Sequence, residues 1–159
     1  MQSSRLQSGP TAQAGMTVIE IGIIIIVIGL ILAVVVVPFS TFRQRQALQN
    51  STNAVVAALN EARTRTLASV GNTYYSVRVE SSQLIVFSGG SYISGAATNT
   101  AIAIESPVTA SWSLQGGGSS VSFDRLKGTT SQYGTITLSL PNGSTKTVTV
   151  SALGTIVRN

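Results

Sequence analysis

The sequence predicts an α+β protein: a long N-terminal helix, apolar in its first half and amphipathic in its second, packed on an antiparallel β-rich domain. Three observations predict it. Residues 16–37 form an apolar run interrupted by Thr17, Glu20 and two glycines. Residues 48–70 then repeat apolar side chains at spacings of three, four and seven. From Tyr74 onward the pattern changes to period-two alternation punctuated by Gly, Pro and Asn-Gly turns. The expected organisation is a polar leader at 1–15, an apolar helix at 16–38, an amphipathic helix at 39–71 and a β-rich domain at 72–159.

Residues 1–15, MQSSRLQSGPTAQAG, are polar, lightly basic and without hydrophobic periodicity, so they read as a leader or a cytoplasmic stub. The apolar run that follows is too long for a secretory signal, and Val37-Pro38-Phe39-Ser40 lacks small residues at both cleavage-determining positions. As a helix the run rises ~30 Å, the thickness of a bilayer's hydrocarbon core. Within it Gly22 and Gly29 stand seven apart, and Gly29-Leu-Ile-Leu-Ala33 is a small-xxx-small pattern suited to close helix packing. Glycine is also simply common in membrane helices. Pro38 follows four β-branched residues; its ring crowds the carbonyl of Val34 and predicts a kink or a loosened turn.

The helix is expected to resume after Pro38. Leu48, Val55, Val56, Leu59, Ala62, Leu67 and Val70 form its apolar stripe, and Gly71-Asn72 its stop. Strands are predicted at Tyr74–Val79, Leu84–Phe87, Ala101–Glu105, Val108–Leu114, Val121–Phe123, Ile136–Leu140, Val148–Val150 and Ile156–Val157. Pro141-Asn142-Gly143-Ser144 makes the clearest hairpin turn.

Composition narrows the function classes. Only 9% of the 159 residues are charged, against roughly 25% in soluble domains, and the net charge of +5 is scattered without a dense basic block. Cysteine and histidine are absent, which removes disulfides, thiol chemistry, the usual general base near neutral pH and the commonest metal ligand. Serines abound without an evident base beyond a formal partner in Lys127 or Lys146. No enzyme activity, cofactor or metal is expected. Arg5 and the starting amine precede the run and Arg43 and Arg45 follow it, so charge alone does not orient the chain in a membrane.

Glu20 is the residue to explain, because a carboxylate well inside a membrane helix costs roughly 2.5–3.5 kcal/mol. Two readings stand side by side. Glu20 can occupy the first turn of a helix, where the positive end of the dipole favours an acid. Alternatively, a cut after Gly15 frees an amine on Met16, one turn away, which pairs with its own Glu20 or with that of a neighbouring subunit.

Gly15-Met16-Thr17-Val18-Ile19-Glu20, followed by the apolar run with Gly29 and Pro38, resembles the N-terminus of type IV prepilins and type II secretion pseudopilins. The resemblance implies that a prepilin peptidase cuts after Gly15 and methylates the Met16 amine, with Glu20 fifth in the mature chain. It further implies a single-pass protein of the bacterial cytoplasmic membrane with its pilin-like β-domain outside, assembling with other pilin or pseudopilin subunits through the N-terminal helix. Leu59-Asn60-Glu61-Ala62-Arg63 before the first strand, Phe123 with Gly128, and Gly154 near the C-terminus resemble the H-type minor pseudopilins and FimT-like minor pilins, in which a helix packs on two β-sheets. The chain departs from the family in having no basic residue beside Gly15, Met16 where Phe is commoner, and Pro38 one position late. FimT-like proteins that bind DNA do so through basic residues near the C-terminus, where this chain offers only Arg158. The remaining alternatives are a minor pilin that primes the filament and binds DNA or another ligand, and a plain signal-anchored membrane protein.

Overall fold

The structure, a computed structural model, describes residues 15–159, apart from the side chains of residues 34–38. The leader expectation therefore lies, except for Gly15, outside the described residues. The chain divides into two compact units, Met1–Phe39 and Ser40–Asn159. Helix α1, Val18–Leu67, belongs to both and is helical without a break through Pro38. The crowding expected between Pro38 and Val34 involves side chains outside the described residues.

In the first unit every described side chain from Met16 to Ala33 is exposed. Among the described residues no helix is long and apolar enough to cross a membrane.

In the second unit α1 lies on two four-stranded antiparallel sheets. The strands are β1 Tyr75–Val79, β2 Gln83–Ser88, β3 Thr100–Ala103, β4 Thr109–Leu114, β5 Ser120–Ser122, β6 Gly134–Ser139, β7 Thr145–Val150 and β8 Ile156–Arg158. One sheet has the order β3-β2-β1-β5 and the other β4-β6-β7-β8. The strand expectations hold to within a few residues at their ends. The β6–β7 hairpin runs in register from Gly134↔Val150 to Ser139↔Thr145, closed by the Asn-Gly turn that the sequence marks.

A single core joins the helix to both sheets. Leu48, Val55, Ala58, Leu59 and Ala62 of α1 meet Val77, Leu84, Val121 and Phe123 of the first sheet's side and Ile136, Leu138 and Val148 of the second. Burying a side chain such as Leu59 or Phe123 contributes about 1.5–3 kcal/mol each. Trp112 is half-buried at the margin of this core, while Ala110 and Leu114 on the same face of β4 are buried, as the alternation requires.

The apolar stripe is corrected at its C-terminal end. Leu67 is 38% exposed and Val70 47%, and Thr66 is fully buried in their place. At ~100° per residue, Ala62 to Thr66 keeps one helix face, whereas Ala62 to Leu67 swings about 140° away from it. The helix stops at Leu67 rather than Val70, and a 3₁₀ turn at Val70–Asn72 leads into β1. Thr66 earns its burial by hydrogen bonding: its hydroxyl donates to the Ala62 carbonyl at 2.8 Å and accepts the Tyr75 N–H at 2.8 Å, tying helix to strand. Thr66→Val keeps the shape but leaves the Tyr75 N–H without that acceptor. It should cost about 1–3 kcal/mol in urea unfolding of the domain. Unchanged stability would show that another acceptor replaces it.

Strand β2 is buried on both faces, which explains its unbroken Leu84–Phe87 run. Leu84 and Val86 enter the core, while Phe87, on the opposite face, meets Tyr92 edge-on at 5.6 Å. The Arg78 guanidinium stands 4.8 Å from the centroid of the Tyr92 ring. At the β1–β2 turn the Gln83 amide and Arg78 donate to the Glu80 carboxylate at 2.7 and 3.0 Å, and these bonds hold its acid below the usual range. The small stability they give is therefore present above the ordinary carboxylate pKa and lost as the pH falls through the lowered one.

Candidate functional site

Two places bring together the residues that the sequence singles out. The first is the start of α1. Gly15, Met16 and Thr17 are non-helical and exposed, and the helix begins at Val18. The Thr17 carbonyl accepts the N–H groups of Glu20 and Ile21 at 3.1 and 3.2 Å, and its hydroxyl also receives the Glu20 N–H at 3.3 Å. Thr17 is thus the N-cap and Glu20 the third helical residue, the T-x-x-E spacing of a capping box. That spacing is visible in the sequence. The placement puts the exposed Glu20 carboxylate in the first turn, at the positive end of the helix dipole.

Above Glu20 the helix is apolar on every side. Val18 is 88% exposed, and the isoleucines and leucines up to Leu32 remain exposed too. Gly22, Gly29 and Ala33 fall on one helix face by their spacing, and a Cβ added at Gly22 or Gly29 would meet nothing within 4 Å. The small-residue stripe is therefore open to whatever covers the helix.

The second place is the junction of α1 with the loop between β5 and β6 and the turn between β7 and β8. Arg63 donates from Nε to the Gly128 carbonyl at 3.2 Å. Gly154, at φ 75°, packs its backbone against that same carbonyl: a Cβ built on it would stand 1.9 Å from the Gly128 oxygen and 3.0 Å from Arg63 Nε. Arg63, Gly128 and Gly154, far apart in sequence, thus form one tight knot, with Phe123 buried a few residues before it.

The cations are mostly engaged within the domain. Arg65 pairs with Glu61 at 2.6 Å, Arg125 donates to Asn72 at 2.7 Å, Lys146 bonds to Gln49, and Arg158 donates to Asn53 at 2.8 Å. Among the described residues no hydrogen bond joins Lys127 or Lys146 to a serine, and no group of carboxylates is placed to hold a metal ion. No family model, curated protein or solved structure matches the chain.

Proposed function

We propose that the chain is a structural subunit, a pilin or pseudopilin, of a type IV pilus or type II secretion filament. A prepilin peptidase would cut it after Gly15 and methylate the Met16 amine. The mature protein would be held in the bacterial cytoplasmic membrane by its apolar helix, with the β-domain outside, and would polymerise through that helix with other subunits. The observation that carries this reading is the apolar helix itself: from Val18 to Leu32 its large side chains are exposed all round, interrupted by one carboxylate, that of Glu20 in the first turn. Such a surface is stable only when lipid or other apolar helices cover it. The non-helical, exposed Gly15-Met16 peptide just before the helix suits entry into a peptidase.

The packing of α1 on two sheets and the Arg63–Gly128–Gly154 knot support the H-type or FimT-like minor subgroup. Engagement of Arg158 with Asn53 weighs against a DNA contact through the C-terminus.

Glu20 supplies the test. In a filament core its carboxylate would pair with the Met16 amine of a neighbour, weakly screened by surrounding apolar side chains. Glu20→Gln keeps shape and loses charge, so membrane insertion should be normal or slightly easier. Incorporation into filaments should fall at least about tenfold. If the variant entered filaments like wild type, the carboxylate would serve only to start the helix.

A further inference from the structure

We propose that a cleft at the start of the second unit binds the head group of a zwitterionic aminophospholipid of the phosphoethanolamine type. The proposal rests on the reading of the apolar helix as membrane-held. The cleft has a volume of about 390 Å³ and lies between the first turns of the unit's helical segment, with Phe42, Arg43 and Gln46, and the loop Glu105-Ser106-Pro107. One wall carries a guanidinium and the other a carboxylate.

The two charges do not pair with each other. Among the described residues no ion pair joins Arg43 to Glu105; those formed are Glu61–Arg65 and Arg78–Glu80. Arg43 is exposed and has no partner among the described residues. The Glu105 carboxylate is fixed in place: Gln46 donates to Asn50 at 3.0 Å, and Asn50 in turn donates to both Glu105 oxygens at 3.1 and 3.4 Å. The Glu105 N–H donates to the Ser51 hydroxyl at 3.1 Å, pinning the loop to the helix. A cation and an anion that share a cleft without neutralising each other are complementary to a ligand carrying both charges a few bonds apart.

Position selects which zwitterion. Phe42 and Arg43 come within five residues of Pro38, where the apolar run ends. If that run lies in lipid, these residues meet the head-group layer, where Arg side chains attract phosphate and exposed aromatic rings settle. Phe42, 63% exposed, offers the apolar surface beside the charges. Arg43 would bind the phosphodiester, a guanidinium–phosphate contact that is charge-assisted. Glu105 would accept N–H bonds from the primary ammonium. Choline offers no N–H to donate, and phosphatidylglycerol brings no cation, so both should bind less well than phosphatidylethanolamine.

The test uses the full chain in non-ionic detergent, with native mass spectrometry after exposure to equimolar dioleoyl phosphatidylethanolamine, phosphatidylcholine and phosphatidylglycerol. Retention of the ethanolamine lipid should exceed each of the others about threefold, the scale of exposed charge pairs. Glu105→Gln should erase the preference over phosphatidylcholine, and Arg43→Gln should lower retention of all three lipids. Both side chains are exposed, so circular dichroism should report intact folds. Equal retention of ethanolamine and choline lipids, or a preference unchanged in both variants, overturns the proposal. Two further measurements keep this failure distinct from that of the membrane reading: sedimentation of the chain with vesicles, and titration with soluble glycerophosphoethanolamine. A chain that sediments but lacks the preference refutes the cleft alone. A chain that fails to sediment yet binds the soluble head group in a Glu105-dependent way refutes the membrane reading and keeps the cleft.

Discussion

Gly154→Ala should destabilise the β-domain by about 3 kcal/mol or more, a large share of the roughly 5–15 kcal/mol that holds a typical domain folded. Two costs add. A residue with a Cβ at φ 75° loses roughly 1–2 kcal/mol in the left-handed region. The Cβ would also stand 1.9 Å from the Gly128 carbonyl oxygen, which is backbone and is held by Arg63 Nε. Relief requires moving the Ser151–Thr155 turn, which is closed by bonds from Ser151 N–H to Thr155 O and from Gly154 N–H to Ser151 O, both at 2.9 Å. Moving it strains the neighbouring Thr130 N–H bond to the Ala152 carbonyl at 3.0 Å. Gly143→Ala is the matched control: its φ is 84°, but an added Cβ would meet nothing within 4 Å. Urea unfolding should give the control only the conformational part of the loss. Equal losses in the two variants would mean that the knot yields without cost.

Gly15→Leu should abolish processing while leaving the fold untouched. An added Cβ at Gly15 would meet nothing within 4 Å in this chain, and the residue precedes the first helix, so nothing in the described structure requires glycine there. Any requirement must then come from a peptidase that needs the uncluttered backbone of glycine at the residue before the cut. The expected result is a precursor of full length, membrane-held, with the far-UV spectrum of the unprocessed wild type. Wild-type electrophoretic mobility in this variant would remove Gly15 as the processing site.

Much of the fold was legible because local patterns carry it. The alternation Val108, Ala110, Trp112, Leu114 requires only that one face of a strand be covered, and Ala110 and Leu114 are indeed buried. The sorting of strands into two sheets was not legible: β5 joins β1 from far along the chain, while β4 leaves that sheet to pair with β6. Such pairings depend on long-range closure, which leaves no periodic mark. Thr66 was overlooked because a hydroxyl reads as polar until its two hydrogen-bond partners are known. Leu67 was misassigned because, five residues beyond Ala62, it lies about 140° off the buried face, and Val70 because the helix has already ended at Leu67. At the candidate site, Thr17 and Glu20 carried a capping signal in plain view. The meeting of Arg63, Gly128 and Gly154 was not legible, since a glycine's neighbours are fixed only by the fold. Glu105 shows the same limit, because its place opposite Arg43 depends on the loop after β3 returning to the helix.

The most direct test of the filament reading is the intact mass of this chain recovered from the sheared surface-filament and membrane fractions of its native host. A chain that begins at Met16, one methyl group heavier than its sequence mass and present in the filament fraction, is the predicted result. A chain that retains Met1 and stays wholly in the membrane fraction would contradict it.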